Sequence, residues 1–346
     1  MKIAITADPV LPVPPHLYGG IERIIDMLVK GLMKRGHEVT LFAHKDSEVL
    51  CELIKYQGLS PQNVGDIWSN MRQVTSVRGK EYDVIHSFGR LAYMAMLMPT
   101  SLPKIMSYQR EPSISMVKMA MRLSKKGTVY FTGCSEYIAN QIKPFAPAYV
   151  VPNGVPIGEY TFSERVAADA PLVFLGRIEH IKGTHLAIEI AQKSGRKLII
   201  AGNIPEDKKS RTYFDHMIKP HLGPNIEYVG PVNNAQKNEL LGTACALLMP
   251  ILWNEPFGIV MAEALACGTP VIGMSRGAVP EVIAHGINGF ECTSVTEMIS
   301  AVDRIDTLDR KATRTIAEEK FSDKAVVDAY ERLYSSVSMK PNAYRL

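Results

Sequence analysis

The amino-acid sequence predicts an α/β protein built from two open parallel sheets, one after the other. Short apolar runs bounded by turn residues alternate with segments of helical period, the pattern of repeated βαβ units. The alternation breaks in the polar, irregular stretch GEYTFSERVAADAP (158–171) and then starts again. At 346 residues the chain is longer than one core normally supports, so two domains are expected.

In the first half, KIAITA (2–7) reads as a strand and the Pro/Gly-rich DPVLPVPPHLYGG after it as a loop. IERIIDMLVKGLMKRG (21–36) places apolar residues at Ile21, Ile24, Ile25, Leu28 and Leu32, a helical spacing closed by Gly36. HEVTLFA (37–43), YDVIHSF (82–88), PKIMSYQ (103–109), TVYFTGCS (128–135) and AYVVPNG (148–154) supply further strands. In the second half PLVFLGRI, RKLIIAGNI, NIEYVGPV, CALLMPI and PVIGMS are strands, with KGTHLAIEIAQKSG and other helices between them. A last helix ends in DKAVVDAYERLYSSV (323–337) and leaves a short tail. The expected domains are 1–157 and 158–322, followed by a C-terminal helix and tail (323–346) that packs back on the first. Two such sheets place the default ligand crevice between them, at the carboxyl ends of the strands.

Composition narrows the class. The chain is 46% hydrophobic and 21% charged, and its net charge of +4 gives no sign of a nucleic-acid partner. Five cysteines, odd in number and without CxxC spacing, argue against a disulfide framework or a structural zinc site and for a reducing compartment. MKIAITADPV is too short an apolar start for a signal peptide, and no run reaches the ~18 apolar residues of a membrane span. A cytoplasmic protein, at most touching the inner face of a membrane, is expected.

The sharpest chemical signal is NEPFGIVMAEALACGTPVIG (254–273). Glutamate is among the residues least often buried without a partner, yet Glu263 stands in an apolar helix. Proline favours the first helical position, so the helix is expected to start near Pro256 and to run to Gly268, with Pro270 beyond. Its first N–H groups, at Gly258, Ile259 and Val260, form an anion site reinforced by the helix dipole. On such a helix Glu255 and Glu263 lie roughly 12 Å apart along the axis and about 80° around it, so both border one groove. A ligand with hydroxyls at each end and a diphosphate between them, a nucleotide sugar, suits that spacing. LGRIEHIKG (175–183) adds Arg177 at a strand end and Lys182 before the next helix, two cations able to reach a diphosphate.

The segments GRIEHIKG, EPFGIVMAEALACGTPVI and GAVPEVIAHGINGF together resemble family 4 of the retaining glycosyltransferases, which have the GT-B fold of two Rossmann-like domains facing a central crevice. YGGIERII, DVIHSF, CSEYIA and VPNGV stand in the matching order in the first half, so the resemblance covers nearly the whole chain. It implies that Glu255 bonds hydroxyls of the transferred sugar and Glu263 those of the ribose. Arg177 and Lys182 would neutralise the leaving diphosphate. The backbone around Pro256, Phe257, Gly258, Ile259 and Val260 would hold phosphate oxygens, Gly19 and Gly20 would approach them from the first domain, and the loop reaching Val232 would cradle the base. His86 ends a strand where the crevice would lie, although a lone strand-end histidine is more often structural than catalytic. Many relatives carry a histidine that contacts the donor sugar where Gln109 aligns here. Either the glutamine replaces it or the alignment shifts by a residue.

The resemblance also implies a mechanism. No DxD metal motif occurs, no metal or other cofactor is expected, and the nucleotide sugar enters as co-substrate. Family 4 enzymes retain anomeric configuration without an established protein nucleophile, the leaving phosphate taking the acceptor's proton on the same face. The acceptor would be a glycan, a lipid-linked molecule or a small molecule. SISMVKMAMRLSKKG (113–127) sets Lys118, Arg122, Lys125 and Lys126 along one helical side and Met116, Met119, Ala120 and Leu123 along the other. Such a helix meets an anionic membrane surface or simply joins its apolar side to the core. A nucleotide-sugar epimerase or a phosphorylase of the same fold, and a non-catalytic nucleotide-sugar binder, are the other readings. A dinucleotide dehydrogenase is disfavoured because the first βα connection lacks GxGxxG.

Overall fold

The computed structural model describes residues 1–15, 19–79 and 81–338. Residues 16–18 of the predicted first loop and the tail beyond 338 lie outside the described residues. The chain divides into two compact units, residues 1–154 with the C-terminal helix, and residues 155–322.

The first unit runs β1 (Lys2–Thr6), α1 (Gly20–Lys34), β2 (Glu38–Ala43), β3 (Glu52–Lys55), α2 (Val64–Thr75), β4 (Val84–Ser87), β5 (Lys104–Tyr108), α3 (Ile114–Leu123), β6 (Val129–Gly133), α4 (Glu136–Ile142) and β7 (Ala148–Val150). The strands form one parallel sheet in the order β3-β2-β1-β4-β5-β6-β7. Every residue of β4, β5 and β6 is buried, as expected where helices cover both faces of a parallel sheet. The edge strands β3 and β7 carry no fully buried residue. The C-terminal helix (Asp323–Ser338) returns to this unit, burying Val326, Val327, Tyr330, Leu333, Tyr334 and Val337.

The second unit runs β8 (Leu172–Leu175), α5 (Thr184–Ser194), β9 (Leu198–Ala201), α6 (Lys208–Tyr213), β10 (Ile226–Gly230), α7 (Asn234–Thr243), β11 (Ala246–Met249), α8 (Ile259–Ala266), β12 (Val271–Met274), α9 (Val279–Val282), β13 (Gly289–Cys292), α10 (Val295–Val302) and α11 (Arg310–Lys320). Its sheet is parallel, in the order β10-β9-β8-β11-β12-β13. Strands β3 and β13 were absent from the sequence reading. ELIK is an edge strand with only two apolar residues between charged ends, and GFEC opens on a glycine, so neither shows an apolar run.

Helix α8 begins later than expected. Gly258, at φ 78°, is its cap and Ile259 its first residue, so Pro256 does not occupy the first helical position. Residues 255–257 instead form a non-helical lead-in with a bend at Pro256: Glu255 bridges Gly277, and the Ala278 N–H donates to the Glu255 carbonyl at 2.8 Å.

Candidate active site

Strand order in the second sheet reverses between β8 and β11, and in open α/β sheets ligands bind beside the carboxyl ends of the strands flanking such a reversal. The loops leaving these two strands carry the predicted residues. The first, 176–183, holds Arg177 and Lys182; the second, 250–258, holds Glu255 and leads into α8.

The two loops meet through charge. Lys182 Nζ donates to Glu255 Oε2 at 2.7 Å, and Trp253 Nε1 donates to the same oxygen at 3.0 Å. The ammonium also lies 4.7 Å from the Trp253 ring centroid, a cation–π contact. Glu255 is only 7% exposed, so these donors supply the partners that a buried carboxylate requires. Arg177 is more open and pairs with Glu179 at 3.2 Å. Each expected diphosphate cation therefore already neighbours an acid.

Glu263 projects from the middle of α8 and is also 7% exposed. Its Oε1 accepts from Tyr160 Oη at 2.9 Å and pairs with Lys237 Nζ. Lys237 and Tyr160 were missed by the sequence reading. Lys237 sits in α7, a helix without an apolar stripe, whose one legible signal is the capping box of Asn233 and Gln236. Tyr160 belongs to a stretch read as a mere boundary. Two acids thus stand on either side of the half-exposed residues Gly258, Ile259 and Val260 in sequence. Their spacing cannot be taken from one helix, because Glu255 precedes α8. Pro256 and Phe257 are buried, and the Phe257 ring packs edge-on against Phe321 at 5.7 Å, so neither side chain is offered to a ligand. Val232 is half-buried in the turn between β10 and α7.

In the first unit Gly19 caps α1 and Gly20 is its first residue, which sets this helix end after β1. Gln109 directly follows β5. Its Oε1 accepts from Asn153 Nδ2 at 2.7 Å, while its Nε2 is buried without a partner among the described residues. It lines a cavity of about 290 Å³ together with Phe88, Arg90, Met106, Arg110 and Met116. His86 is corrected: it is 0% exposed and does not border a site. One ring nitrogen meets Tyr334 Oη and the other Ser107 Oγ, each at 2.6 Å, and burial pushes its pKa down to about 3. It is a neutral structural histidine beneath the C-terminal helix.

Helix α3 also differs from expectation. Val117 and Ala120 form its buried side. Met119 and Leu123 are 45% and 55% exposed, on the surface that also carries Lys118, Arg122, Lys125 and Lys126. Lys118 Nζ lies 4.3 Å from the exposed Phe145 ring.

Comparison with known proteins gives a match to each half. Residues 162–325 match the model of glycosyl transferases group 1, and residues 18–159 that of glycosyltransferase family 4. An uncharacterised glycosyltransferase of Methanocaldococcus jannaschii is 24% identical over 331 residues, spanning 80% of this chain and 82% of that protein. Among solved structures, AviGT4, a glycosyltransferase involved in avilamycin A biosynthesis, superposes with a TM-score of 0.73 at 23% identity, covering 98% of each chain. Anabaena HepE in complex with UDP-glucose superposes with a TM-score of 0.74 at 18% identity, covering 97% of this chain and 100% of that one. Two Rossmann-like parallel-sheet units of this kind are the GT-B architecture.

Proposed function

We propose that this chain, a glycosyltransferase of GT-B type, moves a hexose-type sugar from a nucleoside-diphosphate sugar to an acceptor, with retention at the anomeric carbon and without a metal ion. The observation that carries this reading is the pair of buried acids before and within α8, each met by a lysine. Uridine diphosphate is the favoured carrier, supported by the UDP-glucose held in the HepE structure of the same fold. Glu255 takes hydroxyls of the transferred sugar and Glu263 those of the ribose. The N–H groups opening α8 take phosphate oxygens.

Lys182 joins two tasks. The ammonium that neutralises Glu255 is also the cation offered, with Arg177, to the diphosphate. As the bond from the anomeric carbon to the phosphate oxygen breaks, negative charge grows on the leaving group, and both cations stabilise it. The acceptor hydroxyl forms the new bond on the same face and its proton passes to the departing phosphate oxygen. Catalysis is then positioning plus electrostatic stabilisation, with no protein nucleophile.

Replacing Lys182 tests the assignment. Lys182→Ala is expected to lower kcat about 10²–10³-fold, the cost typical of one lost donor to a developing charge, while the unfolding midpoint moves only slightly. Near-normal transfer by that variant would remove Lys182 from the mechanism. Binding of uridine, guanosine and adenosine diphosphate glucose identifies the carrier. Incubation with donor alone separates the epimerase reading, which alone yields an isomerised sugar without acceptor.

The acceptor, in this reading a glycan, lipid-linked or small molecule of cell-surface glycan or glycolipid synthesis, is recognised by the first unit, while Gln109 at its cavity wall contacts the donor sugar. No described helix is long and apolar enough to cross a membrane. Peripheral contact is favoured by one specific observation, the exposure of Met119, Leu123 and Phe145 among Lys118, Arg122, Lys125 and Lys126. The protein is then a cytoplasmic enzyme working at the inner face. Vesicles containing anionic lipid should co-sediment the protein and neutral vesicles should not; equal recovery with both sinks the membrane contact.

A further inference from the structure

The two partners of Glu263 converge on a single oxygen. Tyr160 Oη and Lys237 Nζ both meet Oε1, and Oε2 makes no hydrogen bond or ion pair among the described residues. Neutralising a buried carboxylate needs only a cation nearby. Two donors on one oxygen do more, because they fix the plane of the carboxylate and decide which oxygen points onward.

Both donors are themselves held. The Lys237 N–H bonds the Asn233 carbonyl at 2.8 Å within the capping box that opens α7, and its side chain is only 11% exposed. Its ammonium lies 5.7 Å from the Tyr160 ring centroid, so the two donors also touch each other. Arg314 of α11 donates to the carbonyls of Tyr160 at 2.9 Å and Ile157 at 3.3 Å and to that of Ala266 at the end of α8, which ties the tyrosine's backbone to the helix that bears Glu263.

A carboxylate offers about four acceptor positions, two on each oxygen. Lys237 and Tyr160 occupy those of Oε1. Two remain on Oε2, the number that a vicinal diol fills. We infer that Lys237 and Tyr160 are positioning residues that aim Glu263 Oε2 at a 2′,3′-diol, and so make the donor site select ribonucleotides over 2′-deoxyribonucleotides. This rests on the reading above in which Glu263 meets the ribose.

The test measures binding of uridine, guanosine and adenosine diphosphates, each against its 2′-deoxy form, to the full-length protein and to the variants Lys237→Met, Lys237→Arg and Tyr160→Phe. Wild type is expected to prefer the ribose form of its best nucleotide by about 10–100-fold, the loss of one hydrogen bond to a charged group. Lys237→Met and Tyr160→Phe should shrink that ratio to within about threefold, and Lys237→Arg should restore much of it. With a working acceptor, KM for the donor should rise in the first two while kcat stays within a few-fold. Should Lys237→Met fail to fold, Tyr160→Phe, which removes one oxygen atom, carries the decision. An unchanged ratio in the tyrosine variant and in any folded Lys237→Met overturns the inference, as does a wild type that binds nucleotides without preferring ribose. A wild type that binds none of the diphosphates defeats the transferase reading itself, and the inference with it.

Discussion

A single histidine shows how far residue identity and residue role can part. DVIHSF puts His86 at a strand end, where chemistry is usual, yet Tyr330, Tyr334, Ser107 and Phe88 enclose it. The sequence could not reveal this, because the enclosing tyrosines lie more than two hundred residues away. Its folded pKa of about 3 lies below the unfolded value of 6.5, so the unfolded chain takes up a proton that the folded chain refuses. Stability is complete above 6.5 and is lost as pH falls towards 3, with about 2 kcal/mol gone at pH 5. The unfolding midpoint of the first unit should therefore drop between pH 7 and pH 5, and His86→Gln should flatten that slope; equal slopes in both proteins would refute the assignment. Glu263, by contrast, was legible, since an acid within an apolar helix demands explanation from sequence alone, and Glu255 was legible from its place beside Pro-Phe-Gly ahead of that helix. Of their partners only Lys182 was: Trp253, Lys237 and Tyr160 follow no spacing rule.

At the scale of elements, the central strands were readable because burial on both faces leaves continuous apolar runs. The edge strand β3 and the glycine-led β13 were not. The start of α8 was misplaced because a proline beside a helical pattern normally marks the first turn, whereas here Glu255 pairs with Gly277 and the helix starts only after Gly258. That pairing is close. At φ 59°, a Cβ on Gly277 would fall 2.4 Å from the Glu255 carbonyl oxygen and 2.5 Å from its nitrogen, and backbone atoms cannot swing aside. Gly277→Ala should push Glu255 off Lys182 and Trp253, raise KM for the donor at least tenfold and lower the unfolding midpoint. Wild-type donor kinetics in that variant would show the bridge to be dispensable. The apolar side of α3 was misjudged for a simpler reason: Val117 and Ala120 suffice to anchor a short helix, leaving its larger hydrophobes outside.

Across the whole molecule, the two-sheet plan was visible in the restart of the βα pattern after 158–171. The return of the last helix to the first unit could only be expected by analogy, since nothing local states where a helix docks. The docking is substantial. Six apolar or aromatic side chains of Asp323–Ser338 are buried, and Arg35 of the first unit reaches Asp328 and Glu331, each at 2.5 Å. At about 1.5–3 kcal/mol for each buried side chain, removal of the helix costs about 10 kcal/mol or more, comparable to the entire stability of an ordinary domain. A chain ending at Ser322 should lose protease resistance across 1–154 while 155–322 stays resistant; an undigested first unit in that truncation would contradict this accounting.

The same arrangement reverses the order in which the halves can mature during synthesis. Translation delivers residues 1–154 before 155–322, but the helix that seals their sheet emerges only after 155–322, which is contiguous and complete before it. On the ribosome the later-made half is thus the earlier to close its core, and the first unit waits, unsealed, until residues 323–338 have been made.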